Sequence, residues 1–172
     1  TDFAGQRWQA ELLNGQMVWL RYQDARSIEE LAALTPVEQR QQVVRNAALL
    51  VGDPYYWGGR SPSGVDCSGL VNLAYRGAGL AIPRDAHEQF LRANPVTTLQ
   101  PADLIFLSER SNPARIVHVM LYAGEGKIIE GPGTGSAVRR IALAQRLGRP
   151  MDQLSSGLVV DEQTVTFGSY LP

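Results

Sequence analysis

The sequence contains one cysteine and two histidines, and their neighbours limit the chemistry they could do. Cys67 sits in Asp66-Cys67-Ser68-Gly69-Leu70, where a glycine-rich loop gives way to a helical apolar pattern. A helix N-terminus presents unpaired N–H groups and about half a positive charge, which favours thiolate over thiol. A thiolate is a nucleophile for acyl transfer. A lone cysteine is otherwise a small buried hydrophobe, so Cys67 acquires meaning only with a base beside it. His118 lies on Ile116-Val117-His118-Val119-Met120-Leu121-Tyr122. Alternation puts His118, Met120 and Tyr122 on one strand face and Val117, Val119 and Leu121 on the other. His87, in Arg84-Asp85-Ala86-His87-Glu88-Gln89, reads as a surface residue at a polar helix start.

A base needs a partner that orients it. Gly124-Glu125-Gly126 is expected to be a three-residue hairpin loop that pairs Ala123 with Lys127. His118 then stands opposite Pro132, and Glu130 is its diagonal neighbour on the same face. Such neighbours lie roughly 7–8 Å apart at Cβ, within reach of long side chains. A carboxylate there could hold the tautomer of the imidazole and stabilise its charged form. A one-residue slip in register would turn Glu130 to the other face.

The elements that must position these residues follow from local signals. Asn14-Gly15 between Arg7–Leu13 and Gln16–Tyr22 predicts a hairpin with a type I′ turn. Ser27 followed by Glu29 and Glu30 predicts a helix over Ser27–Leu34. Thr35-Pro36-Val37-Glu38 starts a second helix, expected to run to about Val51 and to end at Gly52. Residues 53–66 read as one long loop. Helices are expected over Cys67–Gly77 and Ala86–Ala93. Strands are expected over Asp103–Leu107, Ile116–Ala123, Lys127–Glu130, Val138–Ile141 and Leu158–Val160. Residues 142–157 carry no clear signal. Helices first and strands later predict an α+β fold with an antiparallel sheet.

Composition narrows the classes. A chain of 172 residues fits one domain with room for an appendage. An apolar share of 44% and a charged share of 19% exclude a disordered chain. The formal charge of −1 implies neither nucleic acid nor an anionic membrane as partner. A single cysteine excludes an intrachain disulfide, and with two histidines it makes a zinc cage hard to build. No apolar run approaches the roughly 18 residues of a spanning helix. No signal peptide is visible, and the start at Thr1 rather than Met is what a trimmed, processed or excised piece would show.

Taken together, the motifs resemble the NlpC-type cell-wall peptidase family, papain-fold cysteine peptidases that cleave peptidoglycan stem peptides. The matching stretches are Pro54-Tyr55-Tyr56-Trp57-Gly58-Gly59, Gly64-Val65-Asp66-Cys67-Ser68-Gly69-Leu70-Val71, Ile82-Pro83-Arg84-Asp85-Ala86, Pro101-Ala102-Asp103-Leu104-Ile105-Phe106 and His118-Val119-Met120-Leu121-Tyr122. The resemblance implies a papain-like core with N-terminal helices packed on an antiparallel sheet. It implies Cys67 as nucleophile and His118 as base. Glu130 falls at the family's third, polar position, which is usually His, Asn or Gln. Tyr55 would face the oxyanion with the Cys67 N–H. Asp66 and Ser68 would hold the substrate's free amino and carboxylate groups, and Trp57, Arg84 and Asp85 would shape the cleft. Arg84 and Asp85 read equally well as a salt-bridged loop anchor.

The implied substrates are peptidoglycan stem peptides or muropeptide fragments. The implied bond is D-γ-glutamyl–diaminopimelate, with no metal or organic cofactor required. The implied compartment is the cell envelope, periplasmic or secreted, with cytoplasmic wall recycling as the other option. Residues 1–26 resemble strands of a bacterial Src-homology-3-like barrel, 27–36 read as a linker helix and 37–172 as the peptidase domain. Two alternatives stay open: an amidase or acyltransferase on the same fold, and a non-catalytic wall-binding module.

Overall fold

A computed structural model of the chain describes residues 7–21, 25–61 and 63–172. Tyr22, expected in the second hairpin strand, and Pro62, expected in the long loop, lie outside the described residues, as do 1–6 within the expected barrel segment. The chain divides into two compact units, Thr1–Leu34 and Thr35–Pro172.

In the first unit, β1 (Arg7–Glu11) pairs antiparallel with β2 (Met17–Arg21). The turn differs from the expected type I′. The Gly15 N–H donates to the Leu12 carbonyl and the Leu12 N–H to that of Gln16, and of the loop residues only Gly15 has a positive φ, 79°. That is a three-residue loop, a type I turn closed by a left-handed glycine. Asn14 helps without going left-handed, because its side chain accepts from the Gln16 N–H at 3.0 Å. Helix α1 (Ile28–Ala32) follows, capped by Ser27 and Glu30 in a reciprocal box.

The second unit begins with α2 (Pro36–Ala48), whose Thr35–Glu38 capping box and Pro at the first turn match the sequence signals. It ends three residues before Val51, as Leu49–Val51 turn out of the helix. The stretch expected as uninterrupted loop contains a small ladder, β3 (Arg60–Ser61) with β4 (Gly64–Val65). Helices α3 (Cys67–Arg76) and α4 (Ala86–Arg92) come next. The remaining elements are β5 (Asn94–Pro95), β6 (Leu104–Ser108), β7 (Ile116–Gly124), β8 (Lys127–Glu130), β9 (Arg139–Ala142), α5 (Leu143–Leu147), a 3₁₀ turn at Met151–Gln153, β10 (Val159–Val160) and β11 (Gln163–Ser169).

Among the described residues the sheet has seven strands in the order β10-β11-β6-β7-β8-β9, with β5 on β11, and every pairing is antiparallel. Two apolar clusters lie on its faces. Leu104, Phe106, Val119, Leu121 and Ile129 join Val43, Ala47, Leu70, Val71 and Ala74 of α2 and α3. Ile105, Leu107, Met120, Tyr122 and Ile128 join Leu143 and Leu147 of α5 and Val165 and Phe167 of β11. The period-two alternation along β6, β7 and β8 accounts for that division. β11 was not expected, although Thr164-Val165-Thr166-Phe167 has its alternation and β-forming residues. Helix α5 was illegible because it is five residues long and its N-cap, Ala142, makes no side-chain hydrogen bond.

A buried arginine ties the helices to the sheet. Arg40 of α2 donates to Asp103 Oδ1 at 2.7 Å, to the Pro101 carbonyl at 2.8 Å, to Ser169 Oγ at 3.2 Å and to the Leu171 carbonyl at 3.1 Å. Replacing one partner of a buried pair leaves an uncompensated charge, at a cost of about 3–5 kcal/mol. Arg40→Met is therefore expected to lower unfolding stability by that amount in urea titration. A loss below ~1 kcal/mol, the worth of an exposed pair, would contradict this role.

Candidate active site

Cys67 is the first residue of α3 and is buried. What fixes the helix head is the carboxylate of Asp66 at the N-cap. Its Oδ1 accepts from the Gly69 N–H at 2.7 Å and from Ser68 Oγ at 3.2 Å, and its Oδ2 accepts from the Gly58 N–H at 2.9 Å and from Arg84 Nη2 at 2.8 Å. Arg84 also donates to Ser68 Oγ at 2.8 Å and to the Gly59 carbonyl at 3.1 Å. The glycine loop thus lies directly on the helix. A Cβ on Gly69 would come within 2.2 Å of the Gly59 carbonyl oxygen, so no other residue fits there without moving the loop. These hydrogen bonds to the charged form hold Asp66 below its ordinary range against the upward push of burial.

Asp66 and Ser68, expected to grip a substrate's free termini, are both in the cleft wall, and both are already bonded to the protein. The four acceptor positions of a carboxylate are all used at Asp66. Arg84 is the lock on this arrangement. Asp85 contributes little to it, being exposed and 4.0 Å from Arg84.

His118 of β7 places Nε2 at 2.9 Å from Glu130 Oε2. An ionised carboxylate only accepts, so Nε2 carries a proton and Nδ1 is left to face Cys67. The diagonal relation comes from Leu121 opposite Ile129 and Tyr122 opposite Ile128. It arises differently from expectation. The loop is the two residues Glu125-Gly126, with φ of 53° and 68°, and Gly124 rather than Ala123 pairs with Lys127. Ala123 is an extra, bulged residue, and the shorter loop and the bulge cancel, so the register at His118 is unchanged.

By alternation His118 and Glu130 belong to the face that carries Met120, Tyr122 and Ile128, whereas α3 packs on the other face. Cys67 reaches them from that other face where β8 stops at Glu130. The head of α3 fills the space beyond it, where a Cβ on Gly131 would lie 3.6 Å from the Cys67 nitrogen and 3.3 Å from the Tyr55 ring.

Electrostatics follow from these contacts. Burial alone would push His118 down, but hydrogen bonds with Cys67 and Glu130, and the charges of both, raise it to about 9. Burial alone would raise Glu130, yet His118, Arg139 and Arg146 hold it down at about 2. Burial, then the nearby Cys67 and Asp66, push Tyr55 up to about 12, so its hydroxyl remains a donor.

Cys67 opens into a cleft of about 470 Å³ lined by Trp57, Asp66, Ser68, Arg84, His87 and Arg115, among others. Trp57 is 84% exposed at its edge. His87, expected at the surface, is half-buried in this wall, where Nδ1 accepts from the Ile116 N–H at 3.3 Å. The sequence reading also missed Arg139 and Arg146, which bond to Glu130 at 2.7 and 3.1 Å. The Arg139 contact could have been found, since the β8–β9 register pairs Glu130 with Arg139 directly. Arg146 rides on the helix that carried no signal.

Both shifts bear on stability. Glu130, depressed from its ordinary 4.5, stabilises the fold above the usual carboxylate range, and that contribution fades as pH falls towards 2. His118, raised from 6.5, stabilises the fold below 6.5, and that contribution fades as pH rises through 9. Urea unfolding across pH should show greatest stability between these limits. His118→Ala should flatten the alkaline fall, and a wild-type curve level from pH 6.5 to 9 would contradict the assignment.

A family model described as NlpC/P60 family matches residues 52–156, more than half of the chain. Among curated proteins, a γ-D-glutamyl-L-lysine dipeptidyl-peptidase of Bacillus cereus is 34% identical over 137 residues, covering 77% of this chain and 40% of that protein. The murein DD-endopeptidase MepH of Escherichia coli is 38% identical over 116 residues, covering 63% of this chain and 42% of that protein. The chain thus spans about 40% of the length of these curated relatives. A crystal structure of an NlpC/P60 family protein from Bacillus cereus superposes with a TM-score of 0.75 at 29% identity, over 98% of this chain and 52% of that one. With its papain-like arrangement of helix and antiparallel sheet, the chain belongs to the NlpC/P60 family.

Proposed function

We propose that this chain is a cysteine peptidase that hydrolyses peptidoglycan stem peptides or muropeptide fragments at the bond between γ-D-glutamate and the following diaminopimelate. The observation that carries the proposal is the meeting of Cys67, His118 and Glu130 at the open end of α3. The name of the Bacillus cereus relative supports a γ-D-glutamyl group on the acyl side. Names of other relatives refer to murein DD-endopeptidase and DL-endopeptidase activity, which supports a wall peptide as substrate class. No described helix is long and apolar enough to cross a membrane. The cell envelope is the compartment such a substrate favours.

In this reading the Cys67 proton already rests on His118 Nδ1, as the raised ionisation of that ring favours, and the thiolate attacks the γ-carbonyl carbon. The carbonyl π pair moves to oxygen, which the Cys67 N–H and the Tyr55 hydroxyl face. The pair returns, the C–N bond breaks, and the departing amine takes the proton from His118. Water then gives a proton to His118 as its oxygen attacks the thioester. The C–S bond breaks and the acid product leaves. Glu130 keeps the ring oriented and stabilises its positive charge in both halves. Asp66, Ser68 and Arg84 hold the loop and helix head in place, and Trp57 and Asp85 border the cleft.

Mass spectrometry of muropeptides after incubation should show a new free amine on diaminopimelate and a shortened γ-D-glutamyl product. Cleavage only between two D-centres would shift the reading to a DD-endopeptidase. Cys67→Ala should lose at least about 10³-fold in turnover while still binding the peptide. Hydrolysis at the wild-type rate would exclude the thioester route.

A further inference from the structure

Glu130 is completely buried, and three cationic side chains from three elements converge on it. His118 of β7 and Arg146 of α5 share Oε2, at 2.9 and 3.1 Å. Arg139 of β9 takes Oε1 with two donors, Nε at 3.0 Å and Nη2 at 2.7 Å. All four acceptor positions of the carboxylate are therefore filled. Both arginines reach the carboxylate from the β9 and α5 side, and neither is among the residues that line the cleft into which Cys67 opens.

A neutral amide at this position would need no such arrangement. A buried carboxylate does, because burial penalises the anion, and a protonated carboxyl is free to turn its hydroxyl towards a different acceptor. Arg139 grips Oε1 with two charged donors while Arg146 grips Oε2, and holding both oxygens fixes the carboxylate plane with Oε2 aimed at His118. Arg146 neutralises the same oxygen from the α5 side. We propose that Arg139 and Arg146 are positioning residues that hold Glu130 as a fixed anion against His118. The proposal rests on the reading of His118 as the base for Cys67. The groups that face the cluster are Cys67 from α3, His118 from β7, Arg139 from β9 and Arg146 from α5.

The test is the pH dependence of Cys67 alkylation by iodoacetamide in the full chain. It needs no peptide, so it can be read whichever bond the protein cuts, and even if it cuts none. In Arg139→Gln/Arg146→Gln, Glu130 protonates at higher pH and the imidazolium loses its partner. The acid limb of alkylation should then move up by about one unit or more. Arg139→Lys/Arg146→Lys, which keeps the charges but not the fork, should recover part of that shift. In a Glu130→Gln background, removing both arginines should cause no further shift. A wild-type limb in the doubly substituted chain, or an equal shift in the Glu130→Gln background, would overturn the proposal. If the double variant does not fold, the triple variant Glu130→Gln/Arg139→Gln/Arg146→Gln should, because no buried anion is left unpaired. A triple variant that also fails to fold overturns the proposal by showing that the arginines serve the fold independently of Glu130.

Discussion

His118 lies where water is largely excluded, and burial by itself would strip the proton from its ring. The sulfur on one side and the carboxylate on the other reverse that preference. The result is a ring whose protonated form is favoured well above its ordinary range. Two features of the sheet bring those three groups together. β8 ends at Glu130, which opens the space into which the head of α3 projects. The bulge at Ala123 sets the register that makes Glu130 the diagonal neighbour of His118.

The sulfur of Cys67 is held from the other direction. A helix N-terminus is useful only if it is stationary, and here it is fixed by a network rather than by packing alone. Asp66 caps α3 and clasps the Gly58 backbone, Arg84 closes over both, and Gly69 lets the loop backbone touch the helix. Tyr55 leaves this same loop and stays a donor at any physiological pH. The loop therefore does two jobs, supplying a candidate oxyanion donor and bracing the helix that carries the sulfur.

The residues that meet at the candidate site, and the α+β fold class, were more legible in the sequence than several of the individual elements. Cys67 and His118 were visible because a glycine loop running into a helix and an alternating strand are strong local signals. The relation of Glu130 to His118 was legible even though the turn was misassigned, since a two-residue loop with a bulge and a three-residue loop set the same register. Asn14-Gly15 misled for a related reason: the pair suits more than one turn, and the surrounding ladder decides. Helix α5 was hidden by its length, and with it Arg146. β11 was hidden among polar residues, although Val165 and Phe167 alternate into the core. The internal bonding of Asp66 was not readable at all. It depends on Gly58, Gly69 and Arg84 arriving together, and that is a property of the folded loop.

The most direct measurement is the ionisation of His118 by NMR, using ring resonances of the labelled chain followed from pH 5 to 10 with Cys67→Ala as comparison. The ring should remain an imidazolium until about 9 in the native chain. It should titrate lower once the sulfur is gone. A ring that titrates near its ordinary 6.5 in both proteins would show that Cys67 and His118 do not form the pair on which the chemistry depends.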